Sequence, residues 1–140
     1  MEELRFNSSS SNVFKIGDSK NAILSSLGQP DSDEYFYFEM SAKEGRLLKY
    51  SQNRILLKQD KFYTLTIKDG SIEIGRSENY FKVGDTVDKL YNAFPEFSSK
   101  PVSNGYINIP LRSIDYDMEC TRLIITLQNN QIVKIMRHDC

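Results

Sequence analysis

The stretch FKIGDSKNAILSSLG at positions 14–28 returns as FKVGDTVDKLYNAF at 81–94. Writing one local instruction twice constrains the chain to a fold that uses both copies. Phe14, Lys15, Ile16, Gly17, Asp18 and Ser19 align with Phe81, Lys82, Val83, Gly84, Asp85 and Thr86. Ser19 and Thr86 are N-cap residues by type, because a hydroxyl there can accept from a first-turn amide. The glycine before each cap lets the chain turn sharply into a helix. Ala22, Ile23 and Leu27 then fall on one stripe, as do Val87, Leu90, Tyr91 and Phe94. Gly28 with Pro30 stops the first copy, and Pro95 stops the second. The pattern predicts helices over 19–27 and 86–94. Asp18 and Asp85 read as acids beside a helix N-terminus, where the dipole favours negative charge.

Strand signals follow each copy. TLTIKDGSIEI (64–74) and IITLQNNQIVK (124–134) each read as two strands around a tight turn, Asp69-Gly70 and Asn129-Asn130. DEYFYFEM (33–40), RLLKYS (46–51) and GYINIPLRSIDYDMEC (105–120) supply the remaining strands, with Pro110 marking an edge or a bend. The expected fold class is α+β: two tandem helix-plus-antiparallel-strand repeats sharing one sheet, with the helices on one face. Residues 14–76 form the first repeat and 81–140 the second, in one compact unit. Residues 1–13, with the serines from Ser8 to Ser11, read as a flexible N-terminal tail. The expected core is Ile16, Ile23, Leu27, Leu65, Ile67 and Ile72 in the first repeat. In the second it is Val83, Leu90, Phe94, Ile125, Leu127 and Ile132.

The line IGDSKNAILSSLGQPD resembles the SmpA/OmlA family of small outer-membrane assembly lipoproteins. Gly17, Ser19, Ile23, Leu27, Gly28 and Pro30 match that family's repeat opening. Gly84, Thr86 and Leu90 match it in the second copy, where Phe94-Pro95 replaces the Leu-Gly stop. Two such units in tandem resemble the β-lactamase inhibitor protein family, whose members bind an enzyme across a sheet face. The resemblance implies a bacterial envelope or secreted protein with a protein partner. A mature segment would be periplasmic or secreted, and a chain starting naturally at Met1 would be cytoplasmic.

Composition narrows the function classes. With 39% apolar and 26% charged residues over 140 positions, the chain is globular. A net charge of −1 argues against a nucleic-acid partner, which usually requires a basic footprint. No apolar run approaches the length of a membrane span. Chemistry-bearing motifs are sparse. The one histidine, His138, lies at the end of a strand pattern, and neither a G-x-S-x-G elbow nor a phosphate-binding glycine loop accompanies it. Asp115, Asp117 and Glu119 alternate as a solvated strand face would. Cys120 and Cys140 fit no metal or redox spacing and are expected as free thiols. No catalytic, cofactor or metal residue is therefore assigned.

Alternation from Leu65 and Ile67 puts Phe62, Thr64 and Thr66 on the sheet face away from the helices. Taking Phe36, Phe38 and Met40 as buried leaves Tyr35 and Tyr37 on that open face. Arg122, Ile124, Thr126, Val133, Ile135 and Arg137 join them. The expected function is a non-catalytic protein-binding module working through the open face, with Tyr35, Tyr37, Phe62 and Arg122 as anchors. A dedicated inhibitor or immunity-type protein is the alternative, and an enzyme of unfamiliar kind is the third reading. The tail or a second copy of the chain, as a homodimer, would be the other cover for such a face.

Overall fold

The computed structural model describes residues 4–8, 12–98, 102, 105–111 and 121–138. Strand accounts for 52% of the described residues and helix for 15%, so the fold is dominated by β structure. Strands β2 (Ser32–Phe38), β3 (Lys43–Tyr50), β4 (Asn53–Lys58) and β5 (Lys61–Ile67) form a meander in one half. Strands β8 (Tyr106–Pro110), β9 (Arg122–Gln128) and β10 (Gln131–His138) form the other. They join into a seven-stranded antiparallel sheet of order β2-β3-β4-β5-β10-β9-β8. A separate three-stranded sheet, β1-β6-β7, is built from Arg5–Asn7, Glu73–Arg76 and Asn79–Phe81. Helices α1 (Lys20–Leu27) and α2 (Val87–Ala93) complete the described elements, with a 3-10 turn at Pro95–Phe97.

This arrangement overturns the expectation of two helix-plus-strand repeats sharing one sheet. The strands at the junction of the repeats are β6 (Glu73–Arg76), which ends the first, and β7 (Asn79–Phe81), which runs into the second. They leave the large sheet and pair with the N-terminal segment to make the small one. Arg5–Asn7, expected to lie in a tail, form an edge of that sheet. The cause is apolar burial: Phe6 is fully buried, 5.6 Å from the Phe14 ring and 5.2 Å from that of Phe62. Phe81, at the head of the second copy, likewise packs 6.1 Å from Phe94. The small sheet and both helices thus share one core with one face of the large sheet, through Phe6, Ile74, Ile23 and Leu90.

What survives of the doubled segment is local. Gly17 N–H donates to the Phe62 carbonyl and Gly84 N–H to that of Ile132. Phe62 N–H donates in turn to Asp18, and Ile132 N–H to Asp85. Each copy therefore docks on the start of a central strand, β5 or β10. The helices begin where the caps predict them, and Ser19 Oγ accepts from Ala22 N–H. Thr86 makes no side-chain cap bond. Asp18 and Asp85 act differently from the dipole reading: each carboxylate accepts a backbone N–H three residues back, from Lys15 at 2.9 Å and Lys82 at 3.0 Å.

The paired hairpins differ from those expected. Asn129-Asn130, both at positive φ, turns β9 into β10. Its counterpart is Gln59-Asp60, also at positive φ, between β4 and β5. Asp69-Gly70 instead leads the chain off the large sheet toward β6. There Asp69 accepts from Ser71 N–H at 2.9 Å and from the side chain of Asn53 at 2.8 Å. Asn53 is fully buried and its carbonyl oxygen accepts from Lys68 and Asp69 N–H, so this corner is closed by hydrogen bonds. Partial burial pushes the Asp69 carboxyl up, but its hydrogen bonds from Ser71, Asn53 and Gln52 outweigh that and hold it at about 2.

Of the expected core, Ile23, Leu65, Ile67, Ile72, Leu90, Phe94, Ile125 and Ile132 are buried. Ile16, Leu27, Val83 and Leu127 are partly buried against them.

Candidate functional site: the uncovered face of the large sheet

Two β-bulges decide which residues face the core. Between β4 and β5 the register passes from Leu57↔Phe62 to Leu56↔Thr64, which leaves Tyr63 without a direct partner. Between β9 and β10 it passes from Ile132↔Leu127 to Lys134↔Thr126, which leaves Val133 in the same position. An extra residue in one strand inverts the phase of alternation beyond it. Phe62 consequently points into the core at 1% exposure, beside Phe14 and Phe6. Ile135 and Arg137 are buried as well, where unbroken alternation would set them outward.

The expected anchors are therefore dispersed. Phe62 is a core residue. Tyr35 and Tyr37 are exposed, but register places them on the core side of the sheet: Tyr35 pairs with Arg46, which pairs with buried Leu57. They stay accessible because β2 is the edge strand, and Tyr35 Oη donates to Glu44 Oε1 at 3.4 Å. Met40, expected to be buried, is fully exposed beyond the end of β2. Arg122 alone lies at an open-face position, half-buried and paired across from His138 and Pro110.

The side chains that occupy the open face are others. Phe36 and Phe38 lie on it, with ring centroids 4.8 Å apart, and Phe38 meets Tyr63 edge-on at 5.3 Å and 86°. Lys58 Nζ sits over both rings, 3.8 Å from the centroid of Tyr63 and 5.0 Å from that of Phe38. Gly45, the register partner of Phe36, makes room for this cluster. The pairs Leu47↔Leu56 and Ile124↔Met136 extend the apolar surface on either side of the central strands, and all four are half-buried. No sequence periodicity marks this cluster, because Tyr63 joins it only through the bulge.

Charge is segregated in the same way. Lys43, Lys49, Arg54, Lys58, Lys61 and Lys134 occupy open-face positions by register, together with Arg122. Glu34 is the one carboxylate at a strand position of this face among the described residues, and it pairs with Lys49 at 3.2 Å. The acids of β2 and β3 otherwise point the other way. Asp33 bonds Lys20 of α1 at 2.5 Å and Arg46 at 2.7 Å. Partial burial pushes the Asp33 carboxyl up, and the bonds and charge of those two cations outweigh it, so it titrates below the usual carboxylate range. Burial and the Asp33 charge together push the Tyr50 hydroxyl up to about 12, and that hydroxyl donates to the Gly28 carbonyl.

Elsewhere a cleft is lined by Glu73, Tyr80, Phe81, Lys82, Asp85 and Lys89. Its acids and cations alternate, and Asp85 is already engaged with Lys82 N–H. His138 is exposed at the end of β10. No group of three His, Cys, Asp or Glu side chains suited to a metal ion occurs among the described residues. Asp115, Asp117, Glu119, Cys120 and Cys140 lie outside them. No described helix is long and apolar enough to cross a membrane. In comparisons with known proteins, no family model, no curated protein and no solved structure matches this chain.

Proposed function

We propose that this protein is a non-catalytic binding module that engages another protein through the open face of its large sheet. The observation that carries the reading is the cluster of Phe36, Phe38 and Tyr63 continued by Leu47 and Leu56. These side chains are half-exposed on a face whose opposite side holds the core. Apolar surface gathered on one face and rimmed by polar groups is how protein interfaces are built. The shifted carboxylates support a non-catalytic role, since each serves a structural bond: Asp33 with Lys20 and Arg46, Asp69 with its turn, and Glu96 with Arg76. An inhibitor or immunity-type protein is the same reading with an enzyme as partner.

The test is affinity capture from an extract of the source cells by the parent and by the variants Leu47→Glu and Leu56→Glu, with Asp88→Lys on α2 as control. The expected result is a discrete, saturable partner retained by the control and lost by both face variants while they keep the parent's circular dichroism. Retention of the partner by folded face variants places the working surface elsewhere.

A further inference from the structure

The net charge of the chain hides the polarity of its open face. Cations stand at register positions on β3, β4, β5, β9 and β10, and the face's Glu34 is tied to Lys49. We infer that the open face takes an acidic protein partner: a surface whose apolar residues meet Leu47, Leu56 and Phe36 while its carboxylates meet Arg54, Lys58 and Lys61. The inference rests on the binding-module reading above and adds the chemistry of the partner.

Complementarity selects this occupant over the others. A second copy seated face to face would bring this set of cations against itself, and like charges juxtaposed at an interface repel and disfavour the pairing. The N-terminal segment is committed elsewhere, since Phe6 is buried in the core and Arg5–Asn7 pair with β6. A single-stranded nucleic acid would use the cations, but it also needs free aromatic faces on which bases stack. Here the rings of Phe36, Phe38 and Tyr63 turn edges into one another, and Lys58 covers Phe38 and Tyr63. The aliphatic stretch between them offers a sugar–phosphate backbone nothing, and it suits the dry centre of a protein interface. Positive potential over such a face would steer an acidic partner and raise its association rate, more steeply at low salt.

The probes are a random copolymer of glutamate and tyrosine, a fluorescein-labelled oligo(dT) of matched charge, and anionic phosphatidylglycerol vesicles. Binding of each to the full chain is followed by anisotropy or co-sedimentation from low to physiological salt. Parent, Arg54→Glu/Lys61→Glu and Leu56→Glu are compared, with folding checked by thermal melts. The expected result is that the copolymer binds the parent with a salt-dependent affinity, at least tenfold tighter than oligo(dT) or vesicles. The charge-reversed variant should lose at least tenfold, and Leu56→Glu should weaken binding too. Tighter binding of oligo(dT) or vesicles, or equal copolymer binding by the charge-reversed variant, overturns the inference. So does the absence of copolymer binding at low salt. If Arg54→Glu/Lys61→Glu still captures the cellular partner while Leu56→Glu does not, the partner is not acidic and the binding-face reading stands. If both capture it, that reading fails with it.

Discussion

The ring of Phe38 lies across Gly45 of the neighbouring strand: a Cβ placed on Gly45 would come within 2.6 Å of Phe38 Cε2. The same atom would also collide with the backbone carbonyl of Leu57 on the far side. The missing side chain is what lets the aromatic cluster fold down onto the sheet. Gly45→Ala should therefore destabilise the protein by about 1–3 kcal/mol, as overpacking does. It should also displace Phe38 from Tyr63, visible as a changed near-ultraviolet circular dichroism of the tyrosines. An unchanged urea midpoint and spectrum would show that the cluster does not depend on this contact.

Phe62 and Tyr35 should respond oppositely to truncation. Phe62→Ala removes a fully buried ring from a three-ring contact and should cost about 3–5 kcal/mol in urea unfolding. Tyr35→Ala, at a site 59% exposed, should change stability by no more than about 0.5 kcal/mol. Equal small losses would contradict the bulge-inverted register.

The corner at Asp69 should make stability pH-dependent in acid. Its carboxyl titrates at about 2 in the folded chain against an ordinary 3.8. A depressed folded pKa contributes stability that is complete above the ordinary value and is lost as pH falls from there toward about 2. Asp69→Asn should flatten that part of the stability–pH curve, measured by urea titrations at each pH. An identical acid slope in parent and variant would assign the effect to other carboxylates, such as Asp33.

Asp18 and Asp85 offer a test of role by substitution type. Both accept a backbone N–H within a tight loop, which an asparagine oxygen can also do. The change to Asn should cost less than about 0.5 kcal/mol at either site, and the change to Ala about 1–2 kcal/mol. Equal losses for Asn and Ala would return the explanation to charge and the helix dipole.

The loop–cap–helix segments were legible because their causes are local. A glycine, a hydroxyl and an apolar stripe act within a few residues, and α1 and α2 begin directly after Ser19 and Thr86. Asn129-Asn130 was legible for the same reason, and Pro110 correctly marked an edge, since β8 closes the sheet. Gln59-Asp60 escaped notice because its geometry is imposed by the strands it joins more than by its own residue types. The hidden part begins where causes become nonlocal. The small sheet exists because Phe6 and Phe14 reach Phe62 across the fold, a contact that periodicity does not report.

By itself, then, the sequence determined where the two helices start, that both copies of the doubled segment are used, and most of the core. Only the tertiary structure decided which side of each strand faces out. One extra residue, Tyr63 or Val133, inverts a period-two pattern and moves Phe62, Ile135 and Arg137 inward. It also decided the polarity of the surface. A net charge is a sum over all faces, whereas a partner meets one face, and here register gathers Lys43, Lys49, Arg54, Lys58, Lys61, Arg122 and Lys134 on the side the core does not use, while Arg46 and Arg137 lie on the other.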